Sequence, residues 1–76
     1  MQASFFGTTA KNGTIYHTND GAFVLVQYTP SADETEVYIT THTGEPLWHT
    51  PIATIKGRGV EKALLEAGIT LAKVNV

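Results

Sequence analysis

The sequence predicts an α+β fold: an antiparallel β-meander of about five strands packed against one short C-terminal helix, followed by a final strand. Three observations carry this expectation. Turn chemistry recurs at short intervals through the first two thirds of the chain. The runs between the turns are rich in Thr, Val, Ile, Tyr and Phe. After Gly59 the spacing of apolar residues lengthens from every second residue to a helical repeat.

The turn signals are Lys11-Asn12-Gly13, Asn19-Asp20-Gly21, Pro30-Ser31-Ala32-Asp33 and Thr43-Gly44-Glu45-Pro46. Asn-Gly and Asp-Gly supply the positive φ angles that tight hairpins need. Strands are therefore expected over residues 4–9, 14–18, 22–29, 36–42 and 47–55. The third of these is apolar on both faces, with Phe23 and Leu25 on one side and Val24, Val26 and Tyr28 on the other. One short helix covers only one face. The second must be closed by curling of the sheet, by another copy of the chain, or by a partner.

Val60, Ala63, Leu64 and Ala67 fall at i, i+3, i+4 and i+7, with Glu61, Lys62 and Glu66 on the wet side, which predicts a helix of about two turns after Gly59. Gly68 stands where a left-handed residue ends such a helix, and Ile69 is placed to meet Leu64 in the apolar pairing of a Schellman motif. A helix so short is unstable alone and must dock on the sheet. Residues 70–76 read as a last strand returning to it.

Seventy-six residues imply one domain over 1–76, and a chain of this size buries only about 60% of its unfolded surface, leaving little room for a deep pocket. Hydrophobic residues at 42% and charged residues at 16% are globular values. The absence of cysteine removes disulfide staples, thiolate metal ligands and a thiol nucleophile. With no signal-like start and no run of roughly 18 apolar residues, a cytoplasmic, non-membrane protein is expected. A formal net charge of -2 gives no electrostatic footprint for nucleic acid or anionic lipid.

Parity in the hairpin around Gly44 suggests where function lies. A four-residue loop pairs His42 with Leu47 and Thr40 with His49; a two-residue loop pairs His42 with His49. Either way one face carries Glu36, Tyr38, Thr40, His42, Leu47 and His49, and the other, the expected core side, carries Val37, Ile39, Trp48 and Ile52. The first set is the amphipathic kind of surface that interfaces favour. Tyr28, Tyr38, His42, Leu47 and His49 are the expected partner-binding residues.

Two other chemistries have weaker signatures. His42 and His49, with Glu36, Glu45 or His17, lack the spacing of a zinc site, and no metal or cofactor is expected. Lys56-Gly57-Arg58-Gly59 leads into a helix and lacks the Walker and dinucleotide spacings, yet Lys56, Arg58 and Lys62 with Tyr16, Tyr28 and Tyr38 form the alternative, a nucleic-acid-binding surface. No spacing marks a nucleophile elbow or catalytic triad. The expectation is a non-enzymatic interaction module: an inhibitor, adaptor or accessory subunit of a larger machine that binds another protein or itself as a homodimer through one sheet face.

Overall fold

The computed structural model describes residues 2–3, 7–10 and 13–71. Its elements are β1 Gln2–Ala3, β2 Thr8–Ala10, β3 Gly13–His17, β4 Phe23–Thr29, β5 Glu34–Thr40, β6 Ala53–Lys56, α1 Val60–Glu66 and β7 Thr70–Leu71. The four strands β3 to β6 form an antiparallel meander in chain order, and the three-residue β2 extends it along the free side of β3. Of the expected strand over 4–9, residues 4–6 lie outside the described residues.

Two of the turns follow the local chemistry, while Lys11 and Asn12 of the first expected turn lie outside the described residues. Between β3 and β4 the Thr18 N–H donates to the Ala22 carbonyl at 2.8 Å, and the Thr18 hydroxyl holds the Asp20 carboxylate across the turn. Between β4 and β5 the Asp33 N–H reaches the Pro30 carbonyl at 3.2 Å, with Asp33 itself at a φ of 51°. Gly13 starts β3 where the backbone of β4 passes so close that a Cβ would lie 2.2 Å from the Val26 carbonyl oxygen. Only glycine fits there.

Alternation along β4 sends Val24 and Val26 to one face, where they join Tyr16, Val37 and Ala53 under Ala63 and Leu64 of the helix. Ala63 and Leu64 are fully buried, so two of the four residues in the expected apolar stripe carry the docking; Ala67 packs on the core and Val60 is half-exposed. The helix ends as expected. Gly68, at a φ of 80°, donates to the Leu65 carbonyl at 2.9 Å and Ile69 to the Leu64 carbonyl at 2.8 Å, the two bonds of a Schellman motif. Ile69 is buried in the same cluster.

Three expectations are corrected. The tail does not return to the meander: Thr70–Leu71 pairs in parallel with Gln2–Ala3 as a separate two-stranded ribbon, and residues 72–76 lie outside the described residues. The hairpin around Gly44 takes neither expected register. Thr40 faces Pro46, flanked by bonds from the Thr41 N–H to the Glu45 carbonyl and from the Leu47 N–H to the Ile39 carbonyl.

The expected strand over 47–55 is interrupted. Pairing resumes only where Ile52 donates to the Val37 carbonyl at 2.7 Å while Ala53 is the register partner of Val37, so two residues oppose one in a β-bulge. Two residues separate Val37 from Thr40, and six separate Ala53 from Pro46, a surplus of four on the outer strand. That surplus is thrown outward. Trp48 and Ile52, expected in the core, are exposed at 65% and 43%.

Candidate functional site

The face of the sheet turned away from the helix carries Ile15, Leu25, Gln27, Tyr38 and Thr40, as the register of β3, β4 and β5 requires. Leu25 and Ile15 are buried even though α1 lies on the other side. Residues 46–49 line a groove on this face, of about 390 Å³, together with Leu25, Gln27 and Tyr38. Leu47 and Trp48 are exposed at 60% and 65%. Two large apolar side chains held beside a lined groove are a surface for an apolar guest.

The chemistry of the walls is that of recognition. The Tyr38 hydroxyl donates to the Glu36 carboxylate at 3.2 Å. Partial burial, with the Glu36 charge added, raises the Tyr38 phenol above its usual value, so it stays a neutral donor at ordinary pH. Gln27 adds a side-chain amide. Toward the other end of the same face Phe23 is stacked on His17, with ring centroids 4.6 Å apart, and meets the His42 ring edge-on at 6.3 Å.

Of the expected partner-binding residues, Tyr38, Leu47 and His49 come together in the groove, and His42 lies against Phe23 outside it. Tyr28 does not belong with them. It is on the helix side, its hydroxyl donating to the Asp33 carboxylate at 2.8 Å and its ring under the Arg58 guanidinium at 4.9 Å. Within the groove, Trp48 is the residue that sequence reasoning places in the core, and Leu25 and Gln27 are ones it does not name as partner-binding. The available signal was Pro46 and Pro51, which bracket Trp48 and cannot donate to a ladder.

The alternative constellation is dispersed. Arg58 is engaged with Tyr28, whereas Lys56 and Lys62 line a separate groove with Ile55, Leu65 and Glu66. The turn before α1 is tied from within, because the Thr35 hydroxyl donates to the Gly57 carbonyl at 2.6 Å and accepts the Gly59 N–H at 3.3 Å. Tyr16, offered as a base-stacking residue, is instead in the core, and Tyr28 and Tyr38 are on opposite faces. Among the described residues no three His, Asp or Glu side chains gather to hold a metal, and no helix is long and apolar enough to cross a membrane.

Fold and groove together define a small α+β domain with an antiparallel sheet and, on the sheet's outer face, a cleft of mixed apolar and polar lining. Compared with known proteins, the chain matches no family model, no curated protein and no solved structure.

Proposed function

We propose that this protein is a non-enzymatic interaction module that captures an apolar segment of another protein in the groove lined by Tyr38 and residues 46–49, as an inhibitor, adaptor or accessory subunit does. The observation that carries the reading is the exposure of Leu47 and Trp48 where the chain, after pairing at Pro46 and Leu47, leaves the sheet edge. Folding stability does not call for an outward-facing tryptophan, whereas interfaces concentrate their binding energy in such residues.

The test separates binding from folding. Trp48→Ala and Leu47→Ala should each change stability by no more than about 0.5 kcal/mol, as surface substitutions do. Each should weaken association by more than about 1 kcal/mol, as truncation of an interface anchor does. Affinity capture from the source cells compares wild type with the double variant, and light scattering reads self-association of both. A set of bound proteins that the double variant retains unchanged, together with an unchanged solution mass, would sink the proposal.

A further inference from the structure

The edge of β6 offers a second way of holding a chain, independent of the outer groove. Val37 turns its backbone groups toward β6, because its carbonyl accepts the Ile52 N–H, and Asp33 does the same through the Gly57 N–H at 2.7 Å. Backbone directions alternate along an antiparallel ladder, so Ala53 and Ile55 face inward to Val37 and Thr35. The N–H and C=O groups of Thr54 and Lys56 then point away from the sheet. β6 is the last strand in the sheet order, so no strand among the described residues takes them up.

Beside this edge, between the strand and the helix, lies a groove of about 380 Å³ lined by Ile55, Lys56, Lys62, Leu65 and Glu66. Leu65 is 55% exposed, although its helix neighbours Ala63 and Leu64 are fully buried. Ile55 and Leu65 thus form an apolar slot next to four backbone groups that no strand among the described residues takes up. Such a pairing of free strand edge and side-chain pocket is how an added strand gains affinity from the backbone and specificity from alternate side chains.

We infer that β6 and this groove dock an extended acidic segment of another protein, which adds as a strand and seats an apolar side chain between Ile55 and Leu65. Charge selects the guest. Lys56 and Lys62, two of the chain's five basic residues, both line this groove in a protein whose net charge is -2. In the groove itself two lysines face one glutamate. A second copy of the chain is the wrong occupant, because twofold pairing of β6 with itself would bring the lysines of both copies to one seam. A nucleic acid would satisfy the lysines and, through its phosphate oxygens, the outward N–H groups, but its phosphate backbone offers no donor to the outward C=O groups of the strand.

The experiment titrates isotope-labelled full-length protein with a pool of octapeptides that alternate Glu or Asp with Ile, Val, Leu or Phe. A matched pool carries Lys in place of every acid. The acidic pool should shift the amide resonances of Thr54, Lys56, Lys62 and Leu65, and the basic pool should not. Thr54→Pro removes an outward N–H that the fold does not use, and should weaken binding about tenfold or more with the melting temperature retained. Should that variant prove unstable, N-methylation of the peptide backbone applies the same block from the other side, and Lys56→Glu with Lys62→Glu tests the charge. Equal binding of the two pools, binding of neither, undiminished affinity of the N-methylated peptides, or shifts confined to Leu25, Tyr38 and Leu47 would each overturn the inference. So would displacement of the acidic pool by an oligothymidylate that binds the Thr54→Pro variant as well as wild type.

Discussion

Thr40 is 3% exposed, opposite Phe23 on β4, and its hydroxyl oxygen is buried without a hydrogen-bond partner among the described residues. A buried polar atom left unpaired carries its full desolvation penalty, about 1 to 3 kcal/mol. Thr40→Val keeps the branched shape and removes that atom, so it should stabilise the protein by about 1 kcal/mol, read as a rise in the urea midpoint at unchanged slope. Nothing in the sequence distinguishes this threonine from Thr35, which is equally buried but bonds both Gly57 and Gly59. Trp48 was obscure for a different reason. Period-two counting sees an apolar residue in alternation with neighbours and assigns it inward, but a side chain follows the ladder only where the ladder exists, and between the bonds from Leu47 and Ile52 it does not.

At the scale of elements, α1 was the most legible part of the chain. Its stripe, its wet face and its stop at Gly68 all act within a few residues of one another, so local spacing suffices to specify them. The energy it contributes is concentrated in one side chain. Leu64→Ala should cost about 2 to 5 kcal/mol, because it empties the centre of the core. Gly68→Ala should cost nearer 1 kcal/mol, since a Cβ there meets no neighbour and only the left-handed backbone resists it. Thermal or urea unfolding of the two variants checks the order; a larger loss at Gly68 would contradict it. The meander was legible from its turns, whereas the β5–β6 register and the ribbon of β1 with β7 were not. The first depends on a surplus of four residues that no local rule reveals, and the second on pairing between distant ends of the chain.

For the whole molecule, all three tyrosines are held above the usual phenol value. Burial raises Tyr16; donation to the Asp33 carboxylate is the main cause at Tyr28; partial burial, then Glu36, acts at Tyr38. A group whose folded value is raised contributes stability that is complete below its unfolded value, about 10 for tyrosine, and is lost as pH rises through the folded one. The urea midpoint should therefore fall above about pH 10. Tyr16→Phe should reduce that alkaline loss while leaving stability near neutrality almost unchanged; an identical profile in the variant would show that burial of this ring has no influence on the titration. The outward excursion at residues 48–51 also bears on how the molecules behave in company. Were the four surplus residues deleted, the outer strand would run unbroken from Pro46 to Lys56 and present a long, straight template to every neighbouring chain. With the excursion in place, the continuous edge that a neighbouring chain could extend is cut to the four residues of β6.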